Sequence, residues 1–184
     1  MAKAIGMIET SSIALGYEIE DAMLKASDVQ LLVARTICSG KYMIIVGGEV
    51  ADVQSSVEAG LTMARDSIID HLVIPNAHES LFPALTNTMT LTPKEMGALG
   101  IVETFTVASA LEAADAAAKA AHVSLFRIHS AMAIGGKGFL LVTGEVAAVR
   151  AAVDAAAAVA IERGVLVAQV VIPGPRPELF SEYI

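Results

Sequence analysis

Apolar residues change their period several times along the chain, and each change marks an element. Residues 3–10 are apolar and β-compatible, which predicts a strand. Ser11-Ser12 then offers an N-cap, and the apolar positions Ile13, Leu15, Ile19, Ala22, Met23 and Ala26 recur at helical spacing. Residues 29–37 and 42–46 are two β-rich runs joined by Cys38-Ser39-Gly40-Lys41, a hairpin-like turn in which Gly40 can supply positive φ. Helical spacing returns over 49–65, with Val50, Val53, Val57 and Leu61 on one stripe. A fourth strand is predicted over 68–74, stopped by Pro75, and a short amphipathic piece over 78–85 follows it. Residues 86–96, rich in Thr and Asn and containing Pro93, read as a linker.

The same series then begins again. Ala4-Ile5-Gly6-Met7-Ile8-Glu9-Thr10 is answered by Ala98-Leu99-Gly100-Ile101-Val102-Glu103-Thr104, and shifting 3–38 by 94 positions gives 12 identities in 36. A shift of 96 lays 40–60 on 136–156 with 10 identities in 21, clearest at Gly48-Glu49-Val50-Ala51 against Gly144-Glu145-Val146-Ala147. Val73-Ile74-Pro75 matches Val171-Ile172-Pro173 at a shift of 98. Alanine inflates such counts, but the shared Gly, Lys, Glu and Pro positions are independent of it. The chain is a tandem duplication. Its first copy is expected over 1–92 and its second over 93–184, each an α+β unit of order β-α-β-β-α-β-α, with helices packed on an antiparallel sheet. The copies differ at the turn after the second strand: Ser39 alone separates Cys38 from Gly40, whereas Ala133-Ile134-Gly135 separates Met132 from Gly136.

Composition narrows the function classes. Hydrophobic residues make up 55% of the 184 positions and charged residues 17%, which excludes intrinsic disorder. The 4% of aromatic residues leaves alanine to carry the packing, so close helix–sheet contact is expected. A net charge of −8 argues against nucleic acid as a partner. No 18-residue apolar run predicts a membrane span, and the N-terminus reads as a strand rather than a signal peptide. With one cysteine, Cys38, no internal disulfide can form, and a cytoplasmic protein is expected.

The opening Ile-Gly-Met-Ile-Glu-Thr, the run Asp-Ala-Met-Leu-Lys-Ala-Ser-Asp-Val, the Gly-Lys turn followed by Gly-Glu-Val, and the Val-Ile-Pro ending together resemble bacterial microcompartment shell domains, one per copy. The element order matches the unpermuted arrangement. Two such domains with a cysteine in the first Gly-Lys turn are most similar to the tandem-domain kind found in propanediol-utilisation shells. That resemblance implies a ferredoxin-like fold and a structural, non-enzymatic role. It also implies a homotrimeric pseudo-hexameric tile that meets other shell proteins at its edges. At the tile centre it implies one [4Fe-4S] cluster per trimer, ligated by Cys38 of three chains beside Ser39 and Gly40, which would pass electrons across the shell to an encapsulated or cytosolic redox protein. It places Lys25 and Lys119 at the tile edge, flanked by His78 and Arg176. Shell proteins of this kind often carry proline at the position of Ser39, and arginine where this chain has Asn76 and Gly174.

The remaining chemistry is weaker. Gly135-Gly136-Lys137-Gly138 lacks the spacing and the Ser/Thr of a phosphate-binding loop. Glu9 and Glu103 sit at matching positions, which suggests a shared structural environment rather than acid–base work. His71, His78, His122 and His129 show no metal-ligand spacing. Two other classes stay open on the residues alone: a trimeric small-molecule-binding or regulatory protein without a cluster, and an enzyme with Cys38 as nucleophile, for which no base partner is visible.

Overall fold

The computed structural model describes residues 3–130 and 134–181. The first repeat runs β1 (Ala4–Thr10), α1 (Ile13–Ala26), β2 (Gln30–Ile37), β3 (Lys41–Gly48), α2 (Val50–Met63) and β4 (Ile68–Ile74), with a 3₁₀ turn at Arg65–Ser67 before β4. After α3 (Leu81–Leu85), the second repeat runs β5 (Ala98–Thr104), α4 (Val107–Ala120), β6 (Ser124–Ser130), β7 (Gly138–Gly144), α5 (Val146–Glu162) and β8 (Leu166–Ile172). Each repeat forms its own four-stranded sheet, in the orders β2-β3-β1-β4 and β6-β7-β5-β8, with every neighbouring pair antiparallel. The duplicated α+β architecture is therefore present, except that only a 3₁₀ turn at Pro177–Phe180 follows β8 where a closing helix was expected.

The local causes repeat as faithfully as the topology. Ser12 Oγ accepts from the Leu15 N–H (3.3 Å) at the start of α1, and Thr106 Oγ1 accepts from the Ser109 N–H (3.2 Å) at the start of α4. In the first unit Ala4, Ile8, Ile44 and Val46 face Ile19, Met23, Val53 and Val57 of the two helices, and all are buried. Gly6 lets α2 approach β1 closely: a Cβ there would stand 2.6 Å from Val57 and 2.8 Å from Val53. Gly100 does the same on α5, 2.7 Å from Val153 and 2.8 Å from Val149. Elsewhere the copies exchange volume across the same contact. Gly16 of α1 lies under Tyr42 of β3, whereas at the equivalent place Ala110 of α4 lies under Gly138 of β7.

The packing boundary is not the repeat boundary. Ser80–Ser130 and the chain from Lys137 form one compact unit, and the chain up to Glu79 forms the body of the other. The expected division at 92/93 thus lies inside the second unit. The reason is α3, which buries Leu81, Ala84 and Leu85 and packs against β6 and α4 instead of closing the first repeat. The helical run expected over 49–65 ends at Met63, because Arg65 takes positive φ (51°) after the Ala64 cap. In the second repeat Gly164 (φ 68°) follows the α5 cap at Arg163.

Candidate functional site

Cys38, Ser39 and Gly40 form the turn between β2 and β3, where Ile37 pairs with Lys41 across the ladder. Ser39 (φ 68°) and Gly40 (φ 72°) both lie in the left-handed region, as a primed hairpin turn requires. Proline, locked near −65°, is incompatible with the backbone at position 39. A Cβ on Gly40 would meet nothing within 4 Å, so the turn projects into open space. The Cys38 thiol is half-buried at its base. Met132, its counterpart in the second repeat, lies outside the described residues.

An ion pair that sequence reasoning missed anchors the foot of this turn. Lys41 Nζ donates to Glu9 Oε1 at 2.8 Å, and the Glu9 side chain is only 3% exposed. The second repeat carries the same pair, Lys137 to Glu103 at 3.0 Å, in a wetter setting with the carboxylate 33% exposed. The signal was present in the sequence, since both copies share the glutamate and the Gly-Lys turn, but 32 to 34 residues separate the partners. Each pair forms because the strand start after the turn lies beside the end of the first strand, with Tyr42 opposite Thr10 and Gly138 opposite Thr104. The matched environment expected for Glu9 and Glu103 is this pair.

Tyr42 is specific to the first repeat. Its hydroxyl donates to Glu20 Oε2 at 2.8 Å and its ring lies 4.9 Å from that of Tyr17. Burial, with the Glu20 hydrogen bond next, pushes the phenol well above its ordinary range.

The four edge candidates occupy separate settings. Lys25 and Lys119 end α1 and α4, each bonded to an aspartate one turn earlier, Asp21 and Asp115, at 2.6 Å. Lys25 is 74% exposed and Lys119 44%. His78 is half-buried in the segment before α3. Arg176 lies after β8, with its Nε 3.7 Å from Glu178 Oε2 and its side chain 85% exposed.

Among the described residues no three His, Cys, Asp or Glu side chains gather to hold a metal ion, and no helix is long and apolar enough to cross a membrane. One chain therefore offers a thiol-bearing turn, two anchored Gly-Lys loops and lysine-tipped helices, repeated about a duplicated sheet. The BMC domain model matches residues 4–77 and again 98–175, and the chain belongs to that family. It is a tandem-domain bacterial microcompartment shell protein, structural rather than catalytic. Among named relatives, the bacterial microcompartment shell protein PduT of Citrobacter freundii is 44% identical over 184 residues, covering 100% of this chain and 99% of that one. The single-repeat scale of the family is seen in the carboxysome shell protein CcmK2 of Synechococcus elongatus, 41% identical over 85 residues, or 44% of this chain and 83% of that one. The crystal structure of a microcompartment protein from Desulfitobacterium hafniense DCB superposes with a TM-score of 0.93 at 48% identity, covering 98% of this chain and 99% of that chain.

Proposed function

We propose that this chain forms homotrimeric, pseudo-hexameric tiles in the shell of a bacterial microcompartment in the cytoplasm. In this reading Cys38 of three chains meets at the tile centre and holds one [4Fe-4S] cluster, which carries electrons between the two sides of the shell. The observation that carries it is the placement of the chain's only cysteine on the projecting Gly-Lys turn of a shell domain, in one repeat of two.

The donor set fits a shared cluster and not a private one. A cube of this type takes thiolate ligands, ordinarily four, and one chain supplies a single sulfur. Three chains would supply three, leaving one iron for water or an exogenous ligand. Ser39 and Gly40 follow the thiol in a tight left-handed turn, and their backbone N–H groups would be the donors available to cluster sulfur, stabilising negative charge. When bound, the cluster would supply one-electron chemistry. The chain's own part is to hold Cys38 at a fixed height, through the Lys41–Glu9 anchor.

The two first helices support the ring. Val107, Leu111, Asp115 and Ala118 of α4 are buried, whereas their equivalents Ile13, Tyr17, Asp21 and Leu24 of α1 are exposed, Tyr17 by 62%. The bare stripe of α1 leaves a surface for a contact between chains, and a head-to-tail contact of that kind closes when the chains form a ring. Lys25, Lys119, His78 and Arg176 would then serve the outer edges, where neighbouring shell proteins meet the tile.

The test is anaerobic purification followed by sizing, with iron and sulfide assays. Trimers with up to one cluster per three chains are expected, and Cys38→Ala should lose iron, sulfide and visible absorbance while remaining trimeric. A wild type without iron, or a Cys38→Ala protein with as much as wild type, would remove the redox assignment.

A further inference from the structure

The two repeats treat the same corner of the fold in opposite ways, and the second unit carries a cleft there. In the first repeat Lys3 bridges the corner at its surface. Its Nζ pairs with Glu49, the residue preceding α2, at 3.2 Å, and its carbonyl accepts from the Ala77 N–H at 2.8 Å. The second repeat has lost both closures. Gly97 stands in place of Lys3, and it is fixed as glycine because a Cβ would collide with the Gly144 carbonyl oxygen. Pro175 stands in place of Ala77 and has no N–H to give.

What remains is a cleft of about 500 Å³ lined by Gly97, Ala98, His122, Val123, Glu145 and Pro173, among others. Glu145 is the counterpart of Glu49 and likewise precedes its helix, α5. Two other charged groups share the rim. Glu95 is already committed, accepting from the Thr92 N–H at 2.7 Å and the Thr92 hydroxyl at 2.6 Å. Lys94 lines the cleft without pairing with Glu145, and among the described residues no cation or hydrogen-bond donor engages that carboxylate.

We infer that this cleft binds an alkylammonium group, which takes the place that the Lys3 ammonium takes in the first repeat. Glu145 receives the charge, and Val123, Ala98 and Pro173 flank the carbon stem. The group can arrive as a lysine side chain of another protein or as a free alkylamine; the chemistry at the cleft is the same. This inference is independent of any cluster at Cys38.

The experiment titrates the full-length protein with n-butylamine, Nα-acetyl-lysine N-methylamide and, as the uncharged match, n-butanol, followed by ligand-observed NMR and crystal soaking. Both amines should bind at the cleft and butanol should not compete. Glu145→Gln should weaken the amines about five-fold, the scale of one exposed ion pair, with thermal unfolding unchanged. Lys3→Ala should create a second amine site at Glu49. Tighter binding of the capped lysine than of butylamine identifies a protein lysine as the source, and equal or weaker binding identifies a free amine. Binding of butanol as strong as that of butylamine, or amine binding unchanged in Glu145→Gln, overturns the inference.

Discussion

Gly16→Ala is the sharpest probe of the volume exchange between the repeats. An added Cβ would stand 2.5 Å from Tyr42 Cδ1 and 2.6 Å from its Cβ and Cγ. The last two atoms are tied to the β3 backbone, so the ring cannot simply swing away. Ordinary contact begins near 3.4 Å, and the helix must therefore lift by most of an ångström or the strand must shift. Overpacking of this kind costs about 1–3 kcal/mol, against which alanine recovers up to about 1 kcal/mol of helix propensity over glycine. The net loss is expected to reach up to about 2 kcal/mol, a fall in melting temperature of up to roughly 8 °C for a chain of this size. The same substitution in a Tyr42→Gly background recreates the Ala110–Gly138 contact of the second repeat, and there alanine should stabilise. The assay is thermal or denaturant unfolding of the four proteins of the cycle at one protein concentration. If Gly16→Ala has the same sign in both backgrounds, the helix–sheet distance at this contact is not set by the Gly16–Tyr42 pair.

Three further outcomes are expected. Lys41→Met leaves the Glu9 carboxylate buried without its partner and should cost about 3 kcal/mol, whereas Lys137→Met beside the half-wet Glu103 should cost under about 1 kcal/mol; equal losses in unfolding experiments would show that the burial difference is immaterial. Because the Tyr42 phenol is held neutral in the folded state, its contribution to stability is complete below the ordinary tyrosine value and is lost as pH rises beyond roughly 10; denaturation across pH 8–11 should show a decline that Tyr42→Phe makes shallower. Lys25→Glu with Lys119→Glu should block sheet assembly seen by electron microscopy while trimers persist, and loss of the trimer itself would move these lysines away from the tile edge.

Much of this was legible in the sequence because its causes are local. The Ser12 cap and the apolar spacing after it set α1 at Ile13–Ala26, and Pro75 set the end of β4 at Ile74. The Cys38 turn was visible from Gly40 between two β-rich runs. What was not legible depends on partners far along the chain. The periodicity of 78–85 says that one face is apolar, yet not that Leu81 and Leu85 pack in the second unit. The alanines of α4 fit nearly every face, so composition could not show that ten of its fourteen residues are buried while α1 buries three. The left-handed backbone of Ser39 went unseen as well, since serine carries no preference for it.

The exchanged glycines also bear on how a duplicated gene keeps its halves apart. Two similar copies in one reading frame invite crossing-over, and a crossover between the first helix and the third strand would mix their contacts. One product would set Gly16 of α1 against Gly138 of β7, leaving an unfilled gap. The other would set Ala110 of α4 against Tyr42 of β3, the clash described for Gly16→Ala. Each product inherits a misfit at the same point in the core, so recombinants are handicapped at folding, before any shell is built. The half with the cysteine and the half without it are thereby kept as distinct hereditary units.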